Sequence, residues 1–83
     1  MNMPLPKQAL SEDALLQLLN WELAAYDECA GCRFTAVKPM HGDEGADGNW
    51  ADARLEADHP LDLAEHFIAR RVVSETRRLF DLA

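Results

Sequence analysis

The sequence predicts a small α+β domain ordered helix–strand–strand–helix (αββα). Three observations lead there. An apolar stripe of helical period runs from residue 11 to about 30, two segments of strand character flank a glycine-rich loop, and a second helical stripe runs from about 60 to 82. We expect both helices to pack on one face of a small antiparallel sheet. Residues 1–10 are expected to form a flexible tail and 11–83 a single domain, as befits 83 residues.

Pro4 and Pro6 disfavour regular structure in the tail. Ser11 is then a candidate N-cap, with Glu12 and Asp13 at the positive end of the helix dipole. Leu15, Leu16, Leu19, Leu23 and Tyr26 share one face of the first helix, and Gly31 suits the position that stops it. Residues 32–39, CRFTAVKP, have the β-branched and aromatic types that suit a strand, with Cys32, Phe34 and Ala36 inward. Residues 40–49 hold three of the four glycines and read as a loop. WADARLEA, 50–57, alternates, with Ala51, Ala53, Leu55 and Ala57 expected inward.

The last helix opens at Pro60 or at Asp62, which has Glu65 at capping-box spacing. Its apolar stripe is Leu61, Ala64, Ile68, Val72, Thr76 and Leu79. Two strands alone make a marginal sheet, and bare edges invite pairing, so a homodimer through the sheet edge is expected.

Composition narrows the function. A net charge of −7 argues against general binding to nucleic acid or to an anionic membrane surface. No run of ~18 apolar residues marks a membrane span, and the first ten residues carry no signal-like apolar core. A cytoplasmic location with reduced cysteines is the expectation. Enzyme motifs are absent, from glycine-rich phosphate loops to nucleophile elbows, so no catalytic residue, no cofactor and no enzyme activity are expected.

Cys29 and Cys32 stand at C-x-x-C spacing. Redox chemistry is disfavoured, because the pair is expected at a helix C-terminus beside Asp27 and Glu28, which favour the neutral thiol. The leading expectation is two small buried residues. The alternative is a zinc site in which Cys29 and Cys32 are joined by histidines, chiefly His41 and His66, with His59 a further source and Glu22 an outside candidate. The acidic loop from Asp43 to Gly48 resembles the start of a calcium loop but lacks an oxygen donor at Gly45 and has Arg54 where a glutamate is needed. Glu22 otherwise reads as a structural acid.

The expected role is that of a protein-interaction or accessory domain with an unnamed protein partner. One candidate surface is the stripe of Arg70, Arg71, Arg77 and Arg78 with Phe67 on the last helix. Arg71–Glu75 and Arg77–Asp81 pairs at i,i+4 would instead make it a solvated face. Nucleic-acid binding through this helix is a second alternative function. The other candidate surface is the outer hairpin face, with Trp50, Val37 and Arg54, while Trp21 is expected to pack on the hairpin or the tail.

Overall fold

In the computed structural model, residues 8–39 and 49–83 are described. The elements are β1 (Gln8–Leu10), α1 (Glu12–Leu23), a short 3-10 turn (Asp27–Cys29), β2 (Cys32–Pro39), β3 (Trp50–Ala57), α2 (Leu63–Leu79) and β4 (Phe80–Leu82). The chain is α+β, but its element order adds a strand at each end of the expected four. Two separate two-stranded sheets form: β1 pairs with β4 in parallel, and β2 pairs with β3 antiparallel. Residues 1–7 of the expected tail and the loop at 40–48, with His41 and the calcium-like segment, lie outside the described residues.

Both helix starts are built as the sequence predicts. The Ser11 side chain accepts from the Ala14 N–H at 3.2 Å. Asp62 and Glu65 close a reciprocal capping box at 2.8 and 2.9 Å. The end of α1 differs from expectation. It stops at Leu23, and Tyr26 is extended (φ −108°, ψ 113°). A helix continued to residue 30 would have set Asp27 and Glu28 against its negative C-terminal pole, with no basic residue to offset them. In the observed turn both acids sit at an N-terminus instead. Gly31 (φ +84°) then turns the chain into β2.

The hairpin departs from strict alternation at two places. Phe34 pairs with Leu55 but Ala36 with Arg54, so Thr35 is an extra residue in β2. Lys38 pairs with Asp52 but Pro39 with Trp50, so Ala51 is extra in β3. Each bulge flips the faces beyond it. Phe34 and Val37 are therefore both buried, as are Trp50 and Ala53, while Ala51 is exposed. This corrects the expected outer hairpin face: Val37 and Trp50 belong to the core, and only Arg54 points outward. The two tryptophans exchange places, with Trp50 at 0 % exposure and Trp21 at 75 %.

Polar groups of α1 serve the bulged strand. The Phe34 N–H donates to Asn20 Oδ1 at 2.7 Å, and Asn20 Nδ2 donates to the Phe34 carbonyl at 3.0 Å. The Val37 N–H donates to Glu12 Oε2 at 2.9 Å. Part of the β2 edge, left for a partner strand in the sequence reading, is thus occupied by α1 side chains.

The core joins Leu15, Leu19 and Leu23 of α1 to Phe34, Val37, Trp50 and Ala53 of the hairpin and to Ala69, Val72 and Val73 of α2. Burying a side chain such as Leu stabilises by ~1.5–3 kcal/mol each. The Trp50 Nε1–H donates to the Phe80 carbonyl at 3.0 Å, which ties β4 to the hairpin. Glu22 accepts from the Thr76 hydroxyl at 2.5 Å. No helix among the described residues is long and apolar enough to cross a membrane.

Candidate metal centre

The buried face of α2 is Glu65, Ala69, Val72, Val73 and Thr76. At 100° per residue it is rolled by roughly 60° from the apolar stripe of the sequence, which leaves Ala64 and Leu79 exposed. The roll brings a carboxylate, Glu65, into the interior.

Glu65 is third in the helix and only 3 % exposed. Its Oε1 accepts from the Asp62 N–H, completing the cap. Its Oε2 faces the other way and takes two contacts: the Cys32 thiol at 3.2 Å and His59 Nε2 at 2.5 Å. On the far side of the ring, His59 Nδ1 meets Asp58 Oδ1 at 2.6 Å. A chain of four side chains therefore runs Cys32–Glu65–His59–Asp58.

The hairpin register sets this up. Cys32 opens β2 opposite Ala57, the last residue of β3. The next two residues, Asp58 and His59, consequently emerge beside Cys32. Gly31 makes room: a Cβ there would lie 2.8 Å from Asp58 Oδ1. Pro60 and the Asp62 cap then redirect the chain into α2 and deliver Glu65.

Electrostatics follow from these contacts. The Asp62 N–H, then His59 and Cys32, hold the Glu65 carboxyl down at about 2. Hydrogen bonds to Asp58 and Glu65 raise His59. Burial, then the hydrogen bond to Glu65, pushes the Cys32 thiol up to about 12. Cys29 is buried beside Cys32; burial and then the Glu65 charge raise its thiol, while a hydrogen bond with Cys32 pulls the other way. Both surroundings favour the neutral thiol.

The same side chains suit a cation. Cys32 Sγ, a ring nitrogen of His59 and a Glu65 carboxylate oxygen lie within 4.8 Å of one another. Donors at ~2.0–2.3 Å around a tetrahedral zinc ion stand ~3.3–3.8 Å apart, so closure requires only small side-chain movements. Cys29, whose thiol hydrogen-bonds with that of Cys32, stands outside these three donors. A bound cation reverses the thiol chemistry, since it displaces the proton from sulfur.

Of the ligands expected from sequence, the structure groups Cys32 with His59 and leaves Cys29 beside Cys32 but outside that group. His66 is exposed and outside the cluster. Glu65 escaped sequence reasoning because its capping role explained it. The available signal was the strand pairing, which places the residues after Ala57 beside Cys32. The other candidate surface is as exposed as expected at Arg70, Arg71, Arg78 and Phe67, the last at 71 %, whereas Arg77 is half-buried. Arg71 Nε meets Glu75 Oε1 at 3.2 Å, the expected i,i+4 pair. Arg54 lies 3.5 Å from Glu56. Comparison of the chain with known protein families, with curated proteins and with solved structures finds no match.

Proposed function

We propose that this chain is a small non-catalytic domain clamped by one divalent metal ion, with zinc the ion its donors fit best. Cys29, Cys32, His59 and Glu65 are the ligands. One observation carries the reading: sulfur, nitrogen and oxygen donors from three separate segments lie within 4.8 Å of one another. Mixed thiolate, imidazole and carboxylate donors suit zinc better than the hard cations, which prefer oxygen alone. With the Cys29 thiol turned toward the other three donors, four protein ligands would close the tetrahedral shell, the pattern of a structural site. The Asp58 carboxylate on the second ring nitrogen of His59 would orient the imidazole and raise its basicity.

The role of the ion follows from where its ligands sit. It would join the start of β2 to the β3–α2 connection and to the first turn of α2. An 83-residue chain buries a modest fraction of its surface, so such a clamp adds usefully to stability. The test is thermal unfolding of chelator-treated protein with and without added zinc. At a free zinc level ~100-fold above Kd, the midpoint should rise by about 10–20 °C. No rise, with calcium and magnesium equally inert, rejects the reading.

A second reading is compatible with the first and concerns partners. The exposed Phe67, flanked by Arg70 and Arg71 with Arg78 about three turns further along the helix, supports docking of an acidic protein segment on the outer face of α2. Charge reversal at Arg70 and Arg78 should abolish such binding without lowering the melting temperature. Binding that survives unchanged would leave the stripe a solvated face.

A further inference from the structure

A different surface, on the seam between the two helices, carries an inference of its own. Trp21 is 75 % exposed and Leu79 62 % exposed. Neither belongs to the core, and both are costly to leave bare on a small acidic domain. Between them the surface is concave. One hollow of about 470 Å³ is walled by Trp21, Ala24, Ala25 and Tyr26 on one side and by Val72 and Glu75 on the other. A second, of about 390 Å³, lies among Glu75, Arg78 and Leu79 and shares Glu75 with the first.

The geometry points to a second copy of this chain as the occupant, joined by a two-fold axis across the α1–α2 seam. Trp21 is both the projecting side chain and a wall of the hollow beside it. In an isologous contact each surface meets itself, so each Trp21 ring would enter the hollow of the other copy and lie against Val72. A site in which knob and hole adjoin on one chain is what such symmetry requires.

The charges agree. With a net charge of −7, two copies repel over most approaches. This patch carries both signs: Glu22 and Glu75, the latter also meeting Arg71 of its own chain at 3.2 Å, and Arg78. Arg78 has no ion-pair partner among the described residues. Across a two-fold axis Glu75 of one copy can face Arg78 of the other, twice over. An acidic or a basic foreign partner would satisfy only half of this arrangement. The contact also differs from pairing through the sheet edge, where Asn20 and Glu12 already hold β2.

Sedimentation velocity of the full chain, from micromolar to millimolar concentration, tests the proposal. The wild type should pass from monomer to dimer. Trp21→Ala removes an exposed ring, so it should fold as the parent does and associate at least ~30-fold more weakly, as a central aromatic anchor does. Glu75→Arg should also weaken the dimer, and adding Arg78→Glu should restore it. Tryptophan emission gives a second readout, because Trp50 is buried in either state while Trp21 would pass from water into the interface. A wild type that stays monomeric throughout, or a dimer indifferent to Trp21→Ala and Glu75→Arg, overturns it.

Discussion

The Cys32 thiol and the Glu65 carboxylate, 33 residues apart, meet at 3.2 Å between the first residue of β2 and the first turn of α2. The contact takes a helix-capping glutamate beyond its capping role. One oxygen closes the capping box; the other receives a thiol and an imidazole. Four predictions follow the residues around it.

Asp58→Ala removes the carboxylate behind His59 while leaving every proposed ligand in place. Zinc affinity should fall ~10–100-fold, the usual cost of losing such a support. Competition against a chromophoric chelator measures it. The metal-free protein should lose only the part of the His59 contribution that Asp58 supports, a small change because the pair is exposed. Equal affinities for the two proteins would mean that His59 is not a ligand.

The pH dependence of the metal-free protein has a definite shape. Glu65 titrates at about 2 when folded against an ordinary 4.5. Its contribution is full above 4.5 and is lost as pH falls toward 2. His59 is raised above its ordinary 6.5. Its contribution is full below 6.5 and is lost as pH rises through the folded value. These two terms are both complete between 4.5 and 6.5. Urea unfolding across pH should therefore show a fall on each side of that window, and the alkaline fall should vanish in His59→Gln.

Asn20→Ala should destabilise the fold by about 1–3 kcal/mol, since it leaves the N–H and carbonyl of Phe34 without their partner. Denaturant unfolding reads this directly. The N–H and carbonyl of Phe34 face α1, and the Asn20 amide meets both. A negligible effect would show that water replaces the amide freely.

Gly31→Ala places a Cβ at φ +84° and 2.8 Å from Asp58 Oδ1. The backbone term alone should cost about 1–2 kcal/mol. Displacement of Asp58 should also weaken zinc binding, so stability and affinity should fall together in this variant. In Asn20→Ala only stability should fall.

The sequence made some of this legible and hid the rest for identifiable reasons. Both helix starts were readable because a cap is a local contact: Ser11 to Ala14, and Asp62 to Glu65. The strands were readable by residue type, and their faces at Phe34 and Ala53, but not beyond the bulges. A single extra residue, Thr35 or Ala51, reverses every side chain beyond it, and nothing in the alternation of WADARLEA marks the bulge. Trp50 was therefore assigned to the wrong face. The end strands were missed because each has three residues and is held partly by distant groups, such as the Asn49 side chain on both the N–H and the carbonyl of Leu82. The cysteine pair was visible as a motif. Its partners were not, because they depend on the β2–β3 register and on the roll of α2, both set by tertiary packing.

Native mass spectrometry of the chain purified without chelator tests the central claim most directly. The account predicts one zinc ion per chain, retained through desalting, released by acid and absent from Cys32→Ser, with that variant melting well below the parent. A metal-free parent of unchanged mass, together with a Cys32→Ser variant that melts as the parent does, would contradict it and leave the cysteines as core residues.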